Sequence, residues 1–224
     1  MTSTSATEYG RRQFMKWFAG VGALMAGVGF DLESGNLSHA YAQGGVDVGA
    51  GDFGIFNLVY IQEQIESAFY TKVLDRPYPG MSAYEEQVLA GIRNNELAHR
   101  ELVRTTLGSA AIPELPIRLD RVNFGSRTSV LQTAKLLEDT GTSAFNGAGP
   151  YLTSAFNLAL AGQLVSVEAR QAALLRDMLA PYSRAFAGDD VVDRNGLETA
   201  RVPSQVIPKQ QMFVAAPIRA SQQP

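Results

Sequence analysis

Four apolar-periodic stretches of this 224-residue chain each carry a glutamate near the middle of the apolar stripe instead of on the wetted face. Glu63 comes one turn after Val59 and Tyr60 and seven residues before Tyr70. Glu96 and His99 lie between Ile92 and Val103, Glu138 falls midway between Leu131 and Phe145, and Glu168 falls between Leu164 and Leu175. At helical spacing these are seam positions, facing whatever each helix packs against. An unpaired buried carboxylate costs several kcal/mol and four facing one another repel, so such an interior demands positive charge. Arg93, Arg100 and Arg170 are close in sequence, but seam geometry turns them mostly outward. Two divalent cations balance four carboxylates one for one. The Glu-x-x-His spacing of Glu96 and His99 sets both side chains on one face a turn apart, which suits a bridging carboxylate beside a terminal imidazole.

The apolar spacing predicts a first helix over about residues 52 to 74, stopped by Pro77, Pro79 and Gly80. Ser82 and Glu85 form a capping-box pair that opens a second helix, which runs to Leu107 before Gly108. A third begins near Ser126, and a fourth begins after Gly149-Pro150 and continues to about Leu179, before Pro181. The first and third connections are short, so the helices they join are antiparallel neighbours. The second connection spans about 18 residues, or about 60 Å when extended, against a length of ~38 Å for a helix of this size. That loop can return to the starting end. The expected fold is therefore all-α: a four-helix bundle in which one long crossover makes the second and third helices parallel.

Tyr60, Tyr70, Phe145 and Phe156 are expected as core packing, with a role as shields or redox relays of a metal pair as the sharper alternative. Asp120 and Asp139 are expected to face solvent or cap a turn. The chain has no cysteine, which excludes disulfides, thiolate metal sites and cysteine nucleophiles, so a metal must be held by oxygen and imidazole. A net charge of -3 with scattered Lys and Arg provides no footprint for nucleic acid.

Residues 1–42 read as an export segment: Arg11 and Arg12 precede an apolar, glycine-rich run from Trp17 to Phe30, and Ala40-Tyr41-Ala42 is a small-x-small cleavage pattern. The string Gly10 to Lys16, GRRQFMK, resembles the twin-arginine motif, which implies passage through the twin-arginine translocase and a periplasmic or otherwise exported protein starting at Gln43. The apolar run reaches only about 21 Å as a helix, short of the ~30 Å hydrocarbon core. If cleavage follows Ala42, His99 is the one histidine left. The remaining chain divides into a glycine-rich linker (43–51), the bundle (52–180) and a proline-containing extension (181–224) that wraps the bundle or trails into solvent.

Four strings carry a family resemblance: IQEQIESAFY (Ile61 to Tyr70), NNELAHRELV (Asn94 to Val103), LLEDTGTSAFNGA (Leu136 to Ala148) and VEARQAALLR (Val167 to Arg176). Over about residues 52 to 180 the chain resembles the bacterial ferritin-like domain family that also includes plant desiccation-related proteins. The resemblance implies metal ligands at Glu63, Glu96, His99, Glu138 and Glu168, with Glu66 a near-seam competitor to Glu63. The fourth string departs from the family's E-x-R-H pattern, because Gln171 stands where the histidine is expected. A glutamine carbonyl ligates weakly or holds a water, so the resemblance implies two Fe or Mn ions with the second site the weaker. Three functional readings follow: a metal-dependent oxidoreductase that oxidises iron or reduces oxygen or peroxide, a non-catalytic structural or desiccation-stress protein, and storage in a homo-oligomeric cage. No residue pattern in the chain identifies the interface that a cage requires.

Overall fold

In the computed structural model, which describes residues 45–223, four long helices run over Gly51–Asp75 (α1), Ala83–Leu107 (α2), Arg127–Ala148 (α3) and Ala155–Leu179 (α4). The expected export segment and the first two residues of the expected linker lie outside the described residues. Serine hydroxyls start three of the helices: Ser82, Ser126 and Ser154 accept from the backbone N–H groups of Glu85, Ser129 and Asn157. The capping box at Ser82 is present, with Glu85 reaching back to the Ser82 N–H at 2.9 Å.

The fourth helix starts later than its sequence suggests. Gly149–Tyr151 forms a separate 3-10 turn, and the α-helix waits for the cap at Ser154. A second cause is Asp52 at the start of α1, whose carboxylate accepts from the backbone N–H groups of Thr153 and Ser154 and from the Asn157 amide. These contacts hold the segment before α4 extended and help to depress the Asp52 carboxyl to about 2 against its burial.

Terminal contacts define the topology. Asp52 brings the starts of α1 and α4 to one end, and Asn57, which donates to the Ala110 carbonyl, brings the end of α2 there too. At the other end Arg127 pairs with Glu85 and donates to the Met178 carbonyl, uniting the starts of α2 and α3 with the end of α4. Hence α1 and α2 are antiparallel, α3 and α4 are antiparallel, and the crossover makes α2 and α3 parallel. The bundle is all-α with one long crossover.

Helix α1 is buried on every side over Gly54–Ser67, unlike an ordinary amphipathic bundle helix. Its outer face is covered by non-helical chain, whose backbone groups need partners. Asn57 donates to the Val48 carbonyl and accepts from Ile112 N–H, and Gln64 accepts from Leu115 N–H at 2.7 Å. The extension after α4 also wraps the bundle. A short helix, Pro203–Gln210 (α5), lies against α1 and α3, and Phe213, Val214 and Ala216 join the core. Ile117 of the crossover bridges Val214, while Val46–Asp47 (β1) pairs in parallel with Ile218–Arg219 (β2). Val46 and Val48 are buried and Asp47 is exposed, a strand alternation, so the stretch expected as a linker is a seal on the bundle from residue 46 onward.

Two side-chain expectations are overturned. Phe156 is 62% exposed at the start of α4 and does not pack in the core. Asp139 does not merely face solvent: it accepts from Arg176, a 5% exposed guanidinium that also donates to Asp190 and to the Ala185 carbonyl. This junction fastens the extension to α3 and α4.

Candidate metal centre

The seam glutamates converge. Glu63 from α1, Glu96 from α2, Glu138 from α3 and Glu168 from α4 are all 0% exposed, and so is Glu66, one turn after Glu63. His99 and Gln171 complete the cluster at 7% and 6%. Oxygen and nitrogen atoms fall into two groups, each with its members within 4.8 Å of one another: Glu63, Glu96, His99 and Glu168 in one, Glu66, Glu138 and Glu168 in the other. Glu168 belongs to both.

His99 Nδ1 stands 3.1 Å from Glu168 Oε1, 3.2 Å from Glu96 Oε2 and 3.6 Å from Glu63 Oε2. Burial alone would depress this imidazole, but the carboxylates of Glu168, Glu63 and Glu96 outweigh it and hold the protonated form far above the usual histidine range. The carboxyls respond in the opposite sense to their own crowding. Burial, reinforced by the charge of Glu96, pushes Glu168 up to about 7, and Glu63, Glu66 and Glu138 are raised well above the carboxylate range by burial and by one another. Among the described residues no lysine or arginine forms an ion pair with any of the five: Arg93 donates to Asn94, Arg170 to Ser166, and Arg100 pairs with Glu101.

Neutral donors serve part of the cluster. The Tyr70 hydroxyl donates to Glu138 Oε1 at 2.6 Å, so a residue expected as packing also holds a candidate ligand. Gln171 Nε2 donates to Glu96 Oε1 and to Glu138 Oε2, while its carbonyl accepts from Asn95. The amide thus turns its N–H toward the carboxylates and its oxygen away, which differs from the expected weak carbonyl ligand. Two acceptors in front of it and one donor behind it account for that orientation. Among the described residues, both oxygens of Glu63, Oε2 of Glu66 and Oε2 of Glu168 have no hydrogen-bond partner, His99 Nδ1 standing 3.6 Å from Glu63 Oε2. Buried acceptors are normally satisfied, and anionic ones cost most when they are not. Oxygen donors plus one imidazole, with these orphaned atoms among them, fit a divalent cation.

Glu66 and Glu63 are not competitors, because both reach the cluster. The signal was available: their i, i+3 spacing is the one that puts Glu96 and His99 on one face. Gly141, one turn after Glu138, is a further participant. A Cβ built there lies 2.6 Å from Glu168 Oε2 and 3.6 Å from Glu66 Oε1, so the bare backbone leaves the room that Glu168 occupies between the two groups. Nothing in the spacing of the sequence singles this glycine out.

On the outside, between α2 and α4, a groove of about 290 Å³ is lined by residues that include Ile92, Asn95, Val167 and Gln171. None of the curated proteins compared with the chain is detectably similar in sequence. The pattern of the ferritin-like domain matches residues 51–181, from the first residue of α1 to just past α4, which is more than half of the 224 residues. With the helix order, the crossover and a carboxylate cluster at mid-bundle in agreement, the chain belongs to the ferritin-like domain family.

Proposed function

We propose that the cluster binds two divalent ions, iron or manganese, in an exported protein that oxidises ferrous iron or reduces oxygen or peroxide. The observation that carries this reading is the set of orphaned, fully buried carboxylate oxygens on Glu63, Glu66 and Glu168, for which a cation is the natural partner. Glu63, Glu96, His99 and Glu168 would hold one ion, and Glu66, Glu138 and Glu168 the other. A pair of iron or manganese ions supplies one-electron steps at each metal. The chain's own contribution is positional. Tyr70 and Gln171 orient Glu138 and Glu96 by donating to them, His99 offers Nδ1 to the first group, and the surrounding bundle excludes bulk water from the carboxylates. In this reading Glu66 makes up for the histidine that the family pattern has at position 171.

A second reading is supported by Gln171 itself. Its N–H groups tie two carboxylates together without a second imidazole, which suits a centre kept for stability in a stress-protection protein. Metal analysis of protein purified without chelators, followed by oxygen consumption on adding ferrous iron, separates the two. Two ions with turnover support the oxidoreductase. Bound ions that raise the melting temperature without turnover support the structural reading, and no bound ion with melting indifferent to iron or manganese would sink the metal centre. Export rests on the resemblance of residues 10–16 to the twin-arginine motif; an amino terminus at Gln43 in exported protein, lost when Arg11 and Arg12 are both replaced by lysine, is the expected result.

A further inference from the structure

The extension after α4 reaches into the hydrogen-bond network of the carboxylate cluster. Gln210, the last residue of α5, is 1% exposed, and its Nε2 donates to the Leu58 carbonyl at 3.0 Å and to Gln62 Oε1 at 3.2 Å. Gln62, also buried, donates in turn to Glu66 Oε1 at 2.9 Å and to the Leu137 carbonyl of α3 at 3.1 Å. Leu58, Gln62 and Glu66 follow one another at i, i+4, i+8 along a single stripe of α1, so the relay runs straight from α5 to the cluster.

The polarity of this relay is determined at every step. Rotating the Gln62 amide by half a turn would set its oxygen against a carboxylate and a carbonyl, and its NH2 against the NH2 of Gln210. Gln210 therefore supports the one orientation of Gln62 that also satisfies Glu66 and the Leu137 carbonyl, and Gln62 holds Oε1 of Glu66. The other oxygen, Oε2, has no hydrogen-bond partner among the described residues, and Glu66 groups with Glu138 and Glu168.

We propose that Gln210 is a positioning residue of the metal centre: through Gln62 it holds Glu66 in the second ion's group, so docking of the extension and binding of that ion are linked. The inference rests on the reading of the cluster as a two-ion site. By reciprocity, whatever docking adds to the affinity for the ion, the ion returns to docking.

The test is titration of the full chain with MnCl2, followed by calorimetry and by the manganese EPR signal, with hydrogen exchange measured over residues 203–216. Gln210→Met keeps the length and volume of the side chain and removes the donor. It is expected to weaken the second ion tenfold or more, to leave the first within twofold, and to abolish the slowing of exchange that Mn²⁺ produces over 203–216 in the wild type. Gln62→Met breaks the relay one step inward and is expected to give the same selective loss, which keeps the test valid if Gln210→Met fails to fold. The control is Gln211→Met: Gln211 secures the extension through the Val214 and Ala216 carbonyls and the Ile218 N–H without touching the cluster, and both affinities are expected to persist. Unchanged second-ion affinity in a folded Gln210→Met or Gln62→Met, or an equal loss in Gln211→Met, would overturn the proposal. A wild-type chain that takes up no Mn²⁺ is a different outcome, and it would remove the two-ion reading itself.

Discussion

Tyr70 and Glu138, 68 residues apart in the chain, meet through a 2.6 Å hydrogen bond with neither side chain exposed to water. Among the described residues the phenol is the only donor to Glu138 Oε1, and burial with the adjacent negative charge raises its own pKa well above the usual value, so it remains a donor throughout the physiological range. Tyr70→Phe leaves a buried carboxyl short of a partner. The expected cost to the metal-free protein is about 1–3 kcal/mol, read from denaturant unfolding with the helical content checked first.

The raised carboxyls make stability depend on pH in a definite direction. Glu168 goes from 4.5 to about 7 on folding, so the folded state holds the extra proton, and stability falls as pH rises from about 4.5 through about 7. Glu63, Glu66 and Glu138 extend the loss to higher pH, and His99, whose contribution is complete below 6.5, adds to it in the same sense. Bound ions take the place of those protons. Melting curves of the chelator-treated protein should therefore shift down between about pH 5 and about pH 8, while the increment from excess MnCl2 grows over the same interval. A metal-free protein that gains stability on going from pH 5 to pH 8 would contradict this assignment of the titrating groups.

Gly141→Ala separates stability from binding. In a helix interior alanine is favoured over glycine by about 1 kcal/mol, and the atom its methyl would meet is the mobile end of Glu168, which can swing aside. The metal-free variant is expected to melt no lower than the parent. Both ions should nevertheless bind more weakly, because the displaced carboxylate is common to the two groups. Titration with MnCl2 checks this, and weakening confined to one ion would show that Glu168 is not shared.

At position 171, histidine would bring an imidazole within reach of the Glu66, Glu138 and Glu168 side. Gln171→His is expected to strengthen the second ion and to sacrifice the amide's donation to Glu96 and Glu138. Metal titration with unchanged stoichiometry and affinity would count against a second ion at that end of the cluster.

Arg176→Met tests the junction between the bundle and its extension. Asp139 is nearly buried and loses its partner, whereas Asp190 is 63% exposed and is resolvated cheaply. The expected destabilisation is about 2–4 kcal/mol by equilibrium unfolding, accompanied by faster proteolysis after residue 179.

The caps and the glutamate stripe were legible because they are local. Ser82 with Glu85, and the seam positions of Glu63, Glu96, Glu138 and Glu168, follow from one helix at a time, and their convergence follows from the short, long, short connections. What escaped depends on distant chain. The all-round burial of α1 over Gly54–Ser67 arises because α5, the crossover and the β1 segment cover a face that a bare bundle would leave wet. Asp139 reads as a surface charge or turn cap until Arg176 and residues 185–190 close over it. Phe156 has the spacing of a core residue but falls in the first turn of α4, where the bundle ends. The isolated apolar residues of the extension have no period that assigns them a partner more than a hundred residues away, which is where Gln210 finds Leu58 and Gln62.

The groove between α2 and α4 gives the bundle a thin side. Facing α5 the carboxylates lie beneath a whole layer of chain, yet toward the groove Gln171 both lines the outer surface and touches Glu96 and Glu138. On this side one amide separates the outer surface from the carboxylates, held by Asn95 behind it and by Glu96 and Glu138 in front. If the cluster holds ions as proposed, Gln171 is the side chain that a departing ion or an entering chelator would have to pass on this face, a control separate from how strongly the carboxylates grip.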